Sequence, residues 1–210
     1  GASVDGEGGD ITVSAGSSTN FYGGDIAVAA GASTASAAGG VTVTSGTSSQ
    51  GAGGALSLAS GSSTEADAGD VSVSSGTSRD GEGGSLSLSS GDSTASHAGD
   101  VTISSGASRD GDGGSVEISS GASALSAGGD LVMAAGASVA ADAGDVSLSS
   151  GSTADGNGGT VRISSGHSDT ANAGDLLVAS GVSKEGMGGN VDISAGQSTN
   201  FYGGEVNITA

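Results

Sequence analysis

The chain has no cysteine, no proline and no tryptophan, and its 210 residues include only two tyrosines and two phenylalanines. Without cysteine there is no disulfide framework and no thiolate metal site. The redox compartment stays open, because extracellular repeat proteins can dispense with disulfides. An aromatic content of 2% excludes an ordinary globular core, which draws much of its buried area from large rings. Basic residues are equally scarce: four Lys and Arg stand against 23 Asp and Glu, a formal charge of −19. Such a chain repels phosphate backbones and anionic lipid, so neither nucleic acid nor a membrane surface is expected as a direct partner. Apolar runs last only a few residues, far short of the ~20 that a spanning helix needs, and no signal-peptide pattern is visible.

What fills the chain instead is glycine, 44 residues of it, placed with strict regularity. Counted from Gly1, the sequence divides into fourteen units of fifteen residues with no insertion or deletion. The first place is always Gly, from Gly1 and Gly16 through Gly106 to Gly196, and so is the ninth, from Gly9 to Gly204. The eighth is only Gly or Ala. The eleventh and thirteenth are aliphatic throughout, as in Ile11/Val13, Leu56/Leu58, Val101/Ile103, Leu131/Met133 and Val206/Ile208. Ser holds the third place except at Thr153, and the fifteenth is Ser or Ala. Variation gathers at places four to seven, with Thr64-Glu65-Ala66-Asp67 in one unit and Arg79-Asp80-Gly81-Glu82 in the next.

A fixed register of this kind, with period-two aliphatics in Asp100-Val101-Thr102-Ile103-Ser104-Ser105-Gly106, predicts short strands with one buried face. The expected fold is all-β: a parallel β-solenoid (β-helix) of fourteen 15-residue repeats, continuous over 1–210. Places eleven and thirteen form its core, and places three and fifteen turn small side chains inward. Places four to seven form outward loops, and the glycines turn the corners. The coil could hold 15, 30 or 45 residues. Gly alternates with Ala, Ser or Phe at place six, and a left-handed Gly there would stack only on its like, which favours two repeats (30 residues) per coil. Against it, that stacking sets Arg79 beside Arg109 and aligns Asp70, Asp100 and Asp130.

This repeat grammar, spanning all fourteen units, resembles extracellular tandem-repeat β-solenoid proteins: fibre shafts, surface filaments and adhesin stalks. The resemblance implies a structural, non-enzymatic module of an extracellular or cell-surface fibre. A longer repeat lies over the short one. Ser18-Thr19-Asn20-Phe21-Tyr22-Gly23-Gly24 returns as Ser198 to Gly204 and holds every aromatic residue of the chain. The core pattern runs on unchanged to Ala210, so the sequence reads as a window on a longer fibre, associating end to end or continuing in the same chain. Ala210 would lead straight into another Gly1-like unit.

Chemistry-bearing residues are few. Acidic loops such as Asp5-Gly6-Glu7, Asp80-Gly81-Glu82 and Asp110-Gly111-Asp112 offer hard oxygen ligands, which makes Asp80, Glu82, Asp110 and Asp112 the calcium candidates. Asp follows Gly-Gly directly in Gly99-Asp100-Val101, so the calcium β-roll nonapeptide is matched only loosely, and EF-hand spacing is absent. Solvated loop charge is the plainer explanation. His97 and His167 occupy different places in their units, with no cysteine or second histidine to complete a metal set. No serine has a base at catalytic spacing, so no enzyme and no cofactor are expected. Two binding readings stand as alternatives: an ice-binding solenoid and a calcium-stabilised adhesin stalk. Ice binding asks for a flat array of hydroxyls. Thr42/Thr44 and Thr102/Ser104 suit it, while Ala27/Ala29, Glu117/Ser119, Arg162/Ser164 and Asp192/Ser194 interrupt it. Outward Ser and Thr are open to O-linked glycans, and Asn207-Ile208-Thr209 is the N-glycosylation sequon, set in an expected strand. If the aliphatic places are a core, Val101→Asp buries an unpaired charge and lowers the melting temperature sharply. An unchanged melting curve would remove Val101 from any core.

Overall fold

The computed structural model describes Gly1 and residues 7–209. Expectations placed on Ser3, Asp5, Gly6 and Ala210 lie outside the described residues. The chain divides after Thr102 into two units, Gly1–Thr102 and Ile103–Ala210, and one local motif accounts for the backbone bonding of both.

That motif is a closed loop. In Gly1–Thr102 the ninth-place N–H donates to the first-place carbonyl seven times, from Gly9 to Gly1 at 3.0 Å through Gly99 to Gly91 at 2.9 Å. In Ile103–Ala210 it does so seven times more, from Gly114 to Gly106 at 2.9 Å through Gly204 to Gly196 at 2.9 Å. Each bond ties residues eight apart, so the backbone pairs within a repeat and not between repeats. Within the loop a second bond holds the bend at places four to six. The third-place hydroxyl accepts the sixth-place N–H, as in Gly81 to Ser78 at 3.0 Å, Ser96 to Ser93 at 3.0 Å and Gly156 to Thr153 at 3.1 Å. Ser caps a helix N-terminus by the same reach of three residues. Here it closes a single bend.

Close approach accounts for the ninth-place glycine. A Cβ on Gly114 would lie 3.2 Å from the Cβ of Ser105 and 3.4 Å from the backbone nitrogen of Gly106, tighter than side chains ordinarily pack. At the eighth place the demand is softer. A Cβ on most eighth-place glycines would make an ordinary contact with the first-place carbonyl, 3.5 Å at Gly8 to 3.9 Å at Gly113, with Gly203 closer at 3.2 Å, and Ala98 and Ala143 occupy the same place in other repeats.

Among the described residues there is no β-strand and no helix. The expected parallel β-solenoid, with its 30-residue coil, is therefore corrected. Alternating aliphatics make a strand only where a second backbone lies alongside to exchange hydrogen bonds. Here glycine at both ends of the loop lets the backbone reach itself first. The glycines read as corners of a coil are the two sides of a loop neck. The argument for like stacking on like also fails, since no described glycine has a positive φ. Phe21, Ala66 and Gly111 present the same N–H to the same hydroxyl, each at 3.0 Å. The third place is likewise a hydrogen-bonding position exposed to solvent, not an inward packing one.

The core is corrected as well. No hydrophobic side chain is buried among the described residues. Val101 is 55% exposed, so the sharp loss expected from Val101→Asp does not follow within the single chain. The alternation survives in weaker form: Leu176 is 57% exposed while its neighbour Leu177, at the twelfth place, is 88% exposed. The chain as a whole leaves 20762 Å² accessible. A folded protein of this mass exposes about 8,400 Å² and its unfolded chain about 27,500 Å². Each unit is thus built from local closures whose apolar side chains remain exposed.

Substitution at the neck tests this directly. Gly114→Ala is expected to speed exchange of the residue-114 amide about fivefold as the neck opens, since a hydrogen bond contributes ~1 kcal/mol net. Ser108→Ala should do the same at Gly111 and leave Gly114 protected. Equal exchange at both amides in both variants would show that the two bonds do not form separately.

Candidate functional surface

With no helix or sheet among the described residues to carry a cleft, function has to be sought on the loops and the extended legs between them. The calcium candidates fall on successive parts of the exposed loops. Asp80 and Glu82 flank Gly81, and Asp110 and Asp112 flank Gly111, each glycine donating its N–H to the third-place hydroxyl of its own repeat. The bend therefore gives each loop two carboxylates on solvent-facing backbone. No group of three or more His, Asp or Glu able to hold a metal occurs among the described residues, which contain no pocket either. Calcium asks for six to eight oxygens, and two carboxylates from one loop fall well short.

His97 is exposed and stands apart from His167 in its placement within the repeat. His167 pairs through Nε2 with Asp169 Oδ1 at 3.0 Å, both side chains almost fully exposed. The spacing, a histidine and an aspartate two residues apart at the second and fourth places, could have been noticed in the sequence. Exposed pairs of this kind contribute little to stability because water screens them. The third-place hydroxyl, Ser or in one repeat Thr153, accepts the sixth-place N–H, as at Ser78, Ser108 and Thr153.

Asn207 is exposed, and no strand runs through Asn207-Ile208-Thr209, so the structural objection to that sequon is removed. Thr42, Thr44, Thr102 and Ser104 are exposed, as are Glu117, Arg162 and Asp192 at equivalent twelfth places. The loops also present bare apolar groups: Phe21, Tyr22, Phe201 and Tyr202 stand in solvent at matching places, 180 residues apart, as do Leu125, Val139, Val182 and Met187 at other loop positions.

No protein-family model, no curated protein and no solved structure matches the chain.

Acidic loops with two carboxylates apiece should respond to ionic strength and not to calcium as such. In a titration followed at the Gly81 and Gly111 amides, micromolar calcium is expected to give no saturable shift beyond that of sodium chloride at matched ionic strength. A saturable shift that disappears in the Asp110→Ala/Asp112→Ala double variant would establish a site.

Proposed function

We propose that this chain is a structural, non-catalytic module of an extracellular fibre or surface filament, in which each fifteen-residue repeat carries one variable loop on a constant neck. The observation that supports it most is the neck itself. The same glycine-to-glycine closure recurs in all fourteen repeats, while the residues it encloses change freely, from Asn20-Phe21-Tyr22 to Arg109-Asp110-Gly111-Asp112. A catalyst or a receptor concentrates its chemistry at one place. A filament spaces similar units along its length, and loops are where a scaffold tolerates variation. The acidic balance fits a surface that must stay hydrated and must not aggregate.

Self-association or continuation of the same chain supplies the length of such a filament, and the outward hydroxyls of the loops and legs are available to glycans. Antibodies raised against the Asn200-Phe201-Tyr202 loop are expected to label filaments on intact, unpermeabilised cells of the source organism. Labelling only after permeabilisation would overturn the extracellular assignment, and thermal hysteresis in the purified chain would replace the structural role with ice binding.

A further inference from the structure

Two glycines are invariant in every repeat, and only one of them is explained by the chain. At the ninth place a Cβ would crowd the neighbouring backbone. At the first place the space is open: a Cβ on Gly16, Gly46, Gly76, Gly106, Gly121 or Gly136 would meet nothing within 4 Å. No described glycine has the positive φ that would exclude a side chain there. A position that must be glycine, yet has room for a methyl group, points to an approach from outside the chain. The eleventh and thirteenth places pose the same question in a different chemistry. They are aliphatic in every repeat, yet Val116, Leu131, Val161 and Val191 remain about half exposed.

We infer that the first-place glycines and the aliphatic pairs together form a lateral face on which a second copy of this chain docks side by side. Three observations select that occupant. The first is spacing. A partner covering an aliphatic pair once every fifteen residues must itself present complementary groups at that spacing, and an identical repeat does so without adjustment. The second is area. A full aliphatic side chain corresponds to roughly 60–120 Å² at 25 cal/mol per Å². The fifteen at these places in residues 103–210 then leave on the order of 600–1,000 Å² exposed. Soluble monomers seldom show a contiguous apolar patch beyond a few hundred Å². Two such faces together bury on the order of 1,200–2,000 Å², the size of a specific, stable interface. The third is the backbone. At the first-place glycines no atom beyond the adjoining residues lies within 4 Å of where a Cβ would stand, so the Cα leaves room for another backbone that a side chain would hold away.

This surface is lateral and so differs from association through chain ends. It holds whether the filament stands outside the cell or not. Net charge sets its condition: at −19 per chain two copies repel, and association must strengthen as salt shortens the screening length from about 30 Å at 0.01 M to about 8 Å at 0.15 M.

Sedimentation velocity on the full chain over a range of concentration and sodium chloride tests it. The expected result is a concentration-dependent dimer or larger assembly that strengthens with salt. The triple variant Gly106→Ala/Gly121→Ala/Gly136→Ala should weaken it at least about tenfold. In that variant the amides of Gly114, Gly129 and Gly144 should keep their protection, showing the necks intact. Val116→Ser with Ile118→Ser should weaken association as well. Gly40→Ala, at a tenth place that is open and already variable, should not. A monomer at every concentration and salt level would overturn the inference, as would association indifferent to these substitutions. Association abolished by removing residues 196–210 yet untouched by the triple variant would mean end-to-end contact instead.

Discussion

A single hydrogen bond type, from one glycine N–H to the carbonyl of a glycine eight residues earlier, organises this chain. It recurs at 2.8 to 3.0 Å in every repeat. Its dependence on glycine is geometric on the donor side, where a Cβ would fall against the residue preceding the acceptor glycine. In water such a bond contributes little net free energy, so its value is positional. By closing each loop on itself it isolates the variable places from the extended leg that follows. One repeat can then carry Phe21 and Tyr22 and another Arg109 and Asp110 with the same bend, the same hydroxyl acceptor and the same neck.

Closure of this kind also explains what the fold leaves undone. Backbone groups at the neck are satisfied within the repeat, and the legs are left with aliphatic side chains that the described chain covers only in part. Local hydrogen bonds do not by themselves offset the conformational entropy of ordering a chain, which in most proteins is met by burial of apolar surface. The aliphatic pairs are therefore unspent burial, placed at one site in every repeat. In Leu131-Val132-Met133 and Leu176-Leu177-Val178 the eleventh and thirteenth side chains are less exposed than the twelfth between them.

The fifteen-residue unit, its loop at places four to seven and its two-sided leg were legible in the sequence, because each leaves a compositional trace that repeats fourteen times. The partner of the backbone was not. Val101 and Ile103 alternate with Thr102 and Ser104 as a strand would, and alternation is silent on whether a neighbouring backbone is present. Glycine spacing was equally ambiguous, since a corner between stacked strands and the neck of a closed loop both need glycine at two places. What distinguishes them is the third-place Ser. A residue chosen only for small size could as well be Ala, as it often is at the fifteenth place. Ser or Thr in every unit signals an oxygen that is used, and the bend it holds draws the chain back toward its own first glycine. The acidic candidates Asp80, Glu82, Asp110 and Asp112 stand on exposed backbone, and each of their loops closes within its own repeat.

The two invariant glycines mark the boundary between what one chain does for itself and what it leaves to a neighbour. The ninth carries the tighter contacts inside the repeat, where the nearest approach a methyl group would make runs from 2.8 Å at Gly9 to 3.6 Å at Gly204. The first is not needed in this way, although its carbonyl accepts the neck bond, because any residue supplies a carbonyl. A repeat subject only to intrachain constraint would let that place drift to Ala, as the eighth has done at Ala38, Ala68 and Ala173. That it has not drifted in any of fourteen units means the constraint acts at the same point of every repeat, with the period of the repeat itself. Such a constraint comes most simply from a surface with the same period, as in the side-by-side docking proposed above, whose strength the acidic charge would make dependent on salt.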